Sequence, residues 1–112
     1  MPAVTDVTAD RRVVIQPQAR DDANAISDHL VEEAGYVRTF EYITALTQAM
    51  LSLSTFAERA ASYPHAQPGV RRLVFRSHAI FYRIGDEEVQ ILRILHQAQD
   101  PARHLGDEPA GT

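Results

Sequence analysis

The sequence predicts an α+β domain in which a helical hairpin packs on a mainly antiparallel four-stranded sheet, in the order β-α-α-β-β-β. Two observations support this fold class. Three short runs rich in β-branched and aromatic residues follow one another after residue 69, and their connections are too short for parallel crossovers. A helical period of apolar residues fills most of the chain before them. The apolar stripes of two helices then cover one face of the sheet.

The chain of 112 residues is long enough for one compact core and too short for two. We therefore predict a single domain over residues 11–105, with flexible ends at residues 1–10 and 106–112. No run approaches the roughly 18 apolar residues that span a membrane, and the N-terminus lacks the apolar core of a signal peptide. The predicted compartment is the cytoplasm. Because cysteine is absent, disulfides and thiolate metal sites are excluded.

Charge is unevenly distributed along the chain. The net charge of −4 argues against a general nucleic-acid binder. Residues 70–96 nevertheless carry five arginines and three acids, whereas residues 1–69 carry nine acids and five arginines. All eleven basic residues other than histidine are arginine, which favours planar, bidentate contacts to carboxylate or phosphate. Codon usage in a GC-rich genome explains this bias equally well, so both interpretations stay open.

The first predicted strand and helix meet at Pro17. Arg11–Gln16 is a short β-branched run, and Pro17 ends it because proline cannot continue a central strand. Asp21 and Asp22 then predict the first turn of a helix, where the macrodipole favours carboxylates. Apolar residues recur at spacings of three and four along this helix until Gly35 ends it: Ala19, Ala23, Ile26, Leu30 and Ala34.

A second amphipathic helix begins near Tyr36 or Val37. Its apolar stripe consists of Phe40, Ile43, Leu46, Met50, Leu53 and Ala57. Joined at Gly35, the two helices are predicted to form an antiparallel hairpin. Residues 59–69, which contain two prolines and a glycine, are predicted to form a loop.

Three strands follow, at Val70–Phe75, His78–Ile84 and Glu88–Leu95, and the register of the last two decides where Arg93 lies. If Gly85 pairs with Glu88, Arg93 falls among the apolar residues that face the core. There it needs a carboxylate partner or a ligand. A change of one residue in loop length places it on the face of Arg83 instead, which gives a basic sheet surface. The sequence leaves both registers open.

An ordered set of short motifs resembles the RelE/ParE superfamily of toxins from bacterial type II toxin–antitoxin systems, and the ParE branch most closely. The resemblance covers roughly residues 12–105, and the Pro-Gln-Ala entry to an acidic helix also fits. The matching motifs are Gly69-Val70-Arg71, Ile80-Phe81-Tyr82-Arg83, Asp86-Glu87 and Arg93-Ile94-Leu95-His96, with Ala98 and Asp100 in the tail. Gln99 departs from the arginine that is common in the ParE tail.

The resemblance implies a toxin that arrests growth, contributes to plasmid or genome maintenance and is neutralised by a cognate antitoxin. ParE-like members are associated with inhibition of DNA gyrase, without chemistry of their own, whereas RelE-like relatives cleave messenger RNA on the ribosome. The expected partners are a ParD-like or similar antitoxin, in a hetero-oligomeric complex, and DNA gyrase. Neither a membrane nor direct sequence-specific nucleic-acid binding is expected. An inactive relative that still binds antitoxin is a third alternative.

The residues favour the gyrase inhibitor over the nuclease. RNA cleavage by a 2′-hydroxyl needs a base, an acid and cations for the phosphorane charge. The RNA-cleaving relatives supply these groups from basic residues on the sheet and near the chain end. Here Ala79, Gln97 and Gln99 lie where those relatives often carry basic residues, and lysine is absent. We therefore predict no catalytic residue.

Five residues are candidates for binding the antitoxin or the target: Arg71, Arg72, Arg83, Arg93 and His96. The first two either grip an acidic segment or solvate an outer strand. A charged side chain inside an apolar strand lowers stability unless an opposite charge or a ligand pairs with it. Arg83 and Arg93 therefore either form a salt bridge with an acid of the first helix or bind a partner. His96 either contacts a partner or hydrogen-bonds its own tail.

The remaining predictions concern anchors, metals and cofactors. Apolar residues left over from the helix stripes, such as Val37, Ala45 and Leu51, are plausible contacts for an antitoxin segment. Tyr82 is predicted to lie in the core. The histidines show no metal-ligand spacing, so neither a metal nor a cofactor is predicted.

Overall fold

The computed structural model describes residues 10–63 and 67–106. The predicted α+β fold and order of elements are confirmed. In chain order the elements are β1 (Arg12–Ile15), α1 (Pro17–Leu51), α2 (Leu53–Phe56), a 3₁₀ turn (Ala57–Arg59), β2 (Val70–Phe75), β3 (His78–Ile84), β4 (Glu88–His96) and a turn of π-helix (Ala102–Gly106).

Helix α1 is a hairpin of two arms, residues 17–34 and 36–51, joined at Gly35. Its backbone angles there are φ 84° and ψ 175°, a conformation open to glycine and strained for other residues. The first arm passes the end of β4, where Asp22 accepts a hydrogen bond from Ile94 N. The second arm contacts the start of β3 at Tyr42, whose Oη lies 2.7 Å from His78 Nδ1. It returns towards the start of β1, and the arms therefore run antiparallel, as predicted.

The start of α1 corrects one expectation. The helix begins at Pro17, four residues before Asp21, so Asp21 and Asp22 lie in its second turn and not in the first. Proline suits the first helical position because its φ is already helical and its missing N–H would have no partner there. Asp22 is thereby placed to face the end of β4.

The sheet has the strand order β1-β4-β3-β2. Strand β1 lies parallel to β4, with Arg12 opposite Glu88, and the other two pairings are antiparallel. The bounds of β2 and β3 match the prediction, and β4 extends one residue further, to His96. The mainly antiparallel sheet is therefore confirmed.

A β-bulge in β4 resolves the position of Arg93. Gly85 N donates to Glu88 O at 2.7 Å, which is the predicted turn. Tyr82 lies opposite Ile91, but Phe81 lies opposite Arg93, so Leu92 is an extra residue in β4. The bulge reverses the alternation and places Arg93 on the face of the sheet that points away from the helices. The turn therefore pairs Gly85 with Glu88, as in the first of the two predicted registers. Arg93 nevertheless lies on the same face as Arg83, as in the second, because of the bulge.

The main core lies between the helices and the sheet. Its largest members are Tyr82, Leu46, Leu53, Ile80, Ile91 and Ile94, each with at most 2% of its surface exposed. The expectation that Tyr82 is a core residue is confirmed. The prediction that the apolar stripes face the core is wrong for two residues. Phe40 is 72% exposed, and Ala34 also lies at the surface. Both residues lie within five residues of Gly35, where the two arms turn.

The opposite face of the sheet, called here the far face, carries a smaller apolar cluster. Val70, Ala79, Phe81 and Leu95 form it, and Leu105 of the C-terminal turn covers it. This turn was not predicted. The loop before β2 also folds onto the sheet, because Tyr63 N donates to Val70 O at 2.7 Å.

Some predictions fall outside the described part of the chain. Residues 1–9, 64–66 and 107–112 are not described, so most of both predicted flexible ends lies beyond it. Asp10 and Gly106, which were assigned to those ends, are described, and Asp10 accepts a hydrogen bond from Thr55. Among the described helices, none combines the length and apolar character needed to cross a bilayer.

Candidate functional site

The five candidate residues do not converge on one site. Arg71 lies opposite Tyr82 and faces the helices. Arg72, Arg83 and Arg93 point to the far face. His96 ends β4 opposite His78, on the side of the helices, and lines cavities on both sides of the strand end.

Arg71 is held by the protein itself. Its Nη1 donates to Ala60 O at 2.7 Å and to Glu58 O at 3.4 Å. These carbonyls follow the second arm, where the helix has ended and its last carbonyl groups need donors. Arg71 therefore ties the end of the helical layer to β2, which differs from both roles considered for it.

Arg72 lies over the ring of Tyr63, with its guanidinium carbon 4.7 Å from the ring centre. This distance is typical of a cation–π contact. Arg72 and His96 line the same small cavity, of about 130 Å³. Two of the five candidates thus meet at this cavity.

Arg83 and Arg93 line a larger open cleft on the far face, of about 500 Å³, called here the Arg83 cleft. Among the described residues, no acid lines it, and its other lining residues are Gln16, Pro17, Gln18, Gln67, Gln90, Leu92, His104 and Leu105. Arg83 Nη2 donates to the side-chain oxygen of Gln67. The sequence analysis did not identify Gln67 or His104 as part of a site.

Arg93 is neutralised within the protein, as the internal salt-bridge alternative required. Its Nε and Nη2 donate to the two carboxylate oxygens of Asp22 at 2.8 and 2.9 Å, and Nη1 donates to His104 O at 2.9 Å. The hydrogen bonds to Asp22 raise the pKa of Arg93, outweighing the effect of burial. The side chains of Arg93 and Asp22 are only 16% and 14% exposed. Arg93 thus has little charge left to offer a ligand.

His96 hydrogen-bonds its own tail, since its Nδ1 accepts from Ala98 N at 3.0 Å. Its ring lies edge-on to His78, with ring centres 5.3 Å apart. His78 is buried, and its Nδ1 lies 2.7 Å from Tyr42 Oη. Burial, and then the charge of His96, lower the pKa of His78. Sequence reasoning missed His78 because its position opposite Tyr42 depends on packing between the second arm and β3.

The surface also carries apolar residues without a core to cover. Tyr36, Val37 and Phe40 are 72–80% exposed and lie around the turn of the hairpin, called here the hairpin tip. Of the predicted anchors, Val37 and Leu51 are exposed and Ala45 is half-buried. Within residues 10–63 and 67–106, no group of three or more potential ligands is arranged to hold a metal ion. The exposed apolar side chains of the hairpin tip and of Leu51 are suited to binding a protein segment.

Comparisons with known proteins agree with this fold. Residues 13–101 match the family model described as ParE toxin of type II toxin–antitoxin system, parDE. The chain is 29% identical over 102 residues to Toxin ParE1 of Mycobacterium tuberculosis, covering 84% of this chain and 97% of that one. It is 27% identical over 89 residues to Toxin ParE1 of Caulobacter vibrioides, covering 80% and 92%.

Solved structures show the same similarity. A chain of the chromosomal ParDE system of P. aeruginosa superposes with a TM-score of 0.69 at 27% identity, covering 77% of this chain and 95% of that one. A chain of the RelBE2 toxin–antitoxin complex of M. tuberculosis shares the fold, with a TM-score of 0.60 at 18% identity and coverage of 81% and 95%. The match to the family model spans most of the chain, and the protein belongs to the ParE family of toxins of type II toxin–antitoxin systems.

Proposed function

We propose that this toxin acts in the cytoplasm by inhibiting DNA gyrase without catalytic chemistry of its own, and that a cognate antitoxin neutralises it in a hetero-oligomeric complex. The observation that carries the proposal is the match of residues 13–101 to the ParE family model. The resemblance to the ParE branch implies gyrase as the target. Loss of gyrase activity would block replication and arrest growth.

The surface supports a protein partner. The hairpin tip exposes three large apolar side chains, and their burial by a partner would be favourable by about 25 cal/mol per Å² of apolar surface. The Arg83 cleft, on the far face of the sheet, offers a cation to a partner. An antitoxin segment that wraps around the domain with apolar and acidic residues would suit both surfaces.

The position of the cations argues against RNA cleavage. Arg72 lies over Tyr63, and the charge of Arg93 is neutralised by Asp22. His78 is buried, and its lowered pKa keeps it neutral near pH 7. An acid, a base and a cluster of available cations would be needed around one phosphate.

One observation favours the alternative, a ribosome-dependent messenger-RNA endonuclease. His104, near the end of the described chain, lines the same cleft as Arg83. A histidine and an arginine are a minimal acid/base and phosphate-binding pair. If the toxin cleaves RNA, we expect His104 to act as acid or base and Arg83 to bind the phosphate.

Expression of the toxin in cells distinguishes the two targets. The gyrase proposal expects growth arrest with broken or relaxed chromosomal DNA, intact messenger RNA, and recovery when the product of the neighbouring gene is co-expressed. The variant His104→Ala should remain toxic. Ribosome-dependent cuts in messenger RNA that His104→Ala abolishes would overturn the gyrase proposal in favour of the nuclease.

A further inference from the structure

Arg83 is a candidate cation for which the described residues provide no counter-charge. None of the ion pairs formed within residues 10–63 and 67–106 involves Arg83. Its observed side-chain partner is the neutral amide of Gln67, and no acid among the described residues lines the cleft around it. A half-buried guanidinium without a counter-charge is costly to keep, which favours binding of an anion.

We propose that the Arg83 cleft is a carboxylate-binding subsite that takes an acidic side chain of the antitoxin. In the free toxin the amide oxygen of Gln67 occupies the place of that carboxylate. The inference rests on the proposed function, namely that the chain binds an antitoxin, and it adds which residue grips the partner and what chemical group the partner supplies.

The surrounding backbone holds Arg83 in place for this role. Arg83 lies in the interior of the sheet, between Val70 of β2 and Gln90 of β4. Its side chain passes close to Gly69, because a Cβ added to that glycine would lie 3.9 Å from Arg83 Nε. A guanidinium fixed on two sides loses little conformational entropy when it binds a carboxylate.

Gln67 is suited to being displaced. Its Nε2 donates to Leu105 O at 2.7 Å while its Oε1 accepts from Arg83. Gln67 can therefore keep its hydrogen bond to the C-terminal turn when a carboxylate replaces its amide oxygen at Arg83. A carboxylate competes well with the amide because it brings a negative charge to the guanidinium and can accept two parallel hydrogen bonds from it.

The charge pattern favours a protein carboxylate over a nucleic-acid phosphate. A nucleic-acid backbone needs a row of cations, since each contacted phosphate is neutralised separately. The cleft offers Arg83 alone, because Arg93 is already paired with Asp22. Asp86 and Glu87, in the turn that follows β3, would repel a polyanion. One guanidinium matches one carboxylate.

The test compares the affinity of three purified toxins for the product of the neighbouring gene. We expect Arg83→Gln to weaken binding by about 10- to 100-fold, in line with the loss of a charge-assisted hydrogen bond. Gln67→Glu should weaken it similarly, because a tethered carboxylate then occupies Arg83. The matched control is Arg76→Gln, which removes the same charge from the exposed turn between β2 and β3 and should leave the affinity unchanged.

Each outcome has a defined meaning. Unchanged affinity in both Arg83→Gln and Gln67→Glu, with tight binding by the wild-type toxin, overturns the subsite and leaves the proposed antitoxin partner in place. No binding by the wild-type toxin overturns the proposed partner and the subsite together. A single-stranded RNA 20-mer that binds the wild-type toxin but not Arg83→Gln, with antitoxin affinity unchanged, overturns the carboxylate assignment in favour of phosphate. Equal unfolding midpoints for the wild-type toxin and its variants exclude misfolding as the cause of a lower affinity.

Discussion

The carboxylate of Asp22 holds Arg93 and the β-bulge of β4 together. It accepts hydrogen bonds from Arg93 Nε and Nη2 and, at 2.9 Å, from the backbone N–H of Ile94. Strand β1 pairs with β4 only as far as Ile91, so the N–H of Ile94 lies beyond the end of its neighbour. Asp22 supplies the missing acceptor. The Asp22–Arg93 pair therefore stabilises the fold, and Arg93 is a poor candidate for binding a partner.

Removing the charge of Asp22 should destabilise the toxin. Asp22→Asn leaves the guanidinium of Arg93, only 16% exposed, without its counter-charge. We expect the free energy of unfolding to fall by about 2–4 kcal/mol, as when one partner of a largely buried ion pair is lost. Urea denaturation measures the change. Arg12→Gln is the control, because Arg12 pairs with Glu88 while 74% exposed and should contribute little. Equal effects in the two variants would contradict this role.

The hydroxyl of Tyr82 should contribute to stability. It donates to Ala57 O in the main core, at the point where the helical layer ends. Tyr82→Phe leaves that carbonyl without its donor, and we expect a loss of about 1–2 kcal/mol in the free energy of unfolding. Tyr36→Phe removes the same hydroxyl from a residue that is 80% exposed and should change nothing. Thermal denaturation of both variants measures the difference, and an unaffected Tyr82→Phe would show that water replaces the bond.

His78 should make the toxin sensitive to mild acid. Burial lowers the pKa of His78 in the folded chain from its ordinary 6.5. As pH falls through 6.5, the unfolded chain binds a proton at this residue and the folded chain does not, so stability is lost until the folded-state pKa is reached. His78→Asn should remove this part of the pH dependence between pH 7.5 and 5.5, measured by urea denaturation. His29→Gln, on the exposed surface of the first arm, should retain it; identical profiles for wild type and His78→Asn would refute the prediction.

The hairpin tip should contribute to antitoxin binding and not to folding. Phe40 is 72% exposed, so Phe40→Ala should change the free energy of unfolding by less than about 0.5 kcal/mol. Its affinity for the antitoxin should fall at least about tenfold if the side chain anchors the interface. Thr44→Ala, exposed on the same arm, serves as the control in isothermal titration calorimetry. Unchanged affinity in Phe40→Ala would place the antitoxin elsewhere.

The strands and the hairpin followed from local sequence patterns. Glycine at position 35 marked the turn because its φ of 84° is strained for other residues. The alternating apolar runs gave β2 and β3 their bounds, since each strand has a core-facing side. The local pattern marked Pro17 as the end of a strand, and Asp21 and Asp22 were therefore assigned to the first turn of a helix that in fact begins at Pro17.

The site depended on contacts that are distant in sequence. The bulge that turns Arg93 to the far face involves Asp22, 71 residues away, and no local pattern indicates it. Leu105 lies in a polar tail without periodicity, so the cover it gives the far face was not predictable. Gln67 had no feature of a binding residue until the fold placed it against Arg83.

The central claim, inhibition of gyrase, is tested most directly by a supercoiling assay with purified toxin, gyrase, ATP and relaxed plasmid. We predict that the toxin blocks supercoiling or accumulates cleaved DNA, and that an equimolar amount of antitoxin restores activity. Arg83→Gln should still inhibit gyrase while resisting the antitoxin. Full supercoiling at toxin concentrations that arrest growth in cells would contradict gyrase as the target.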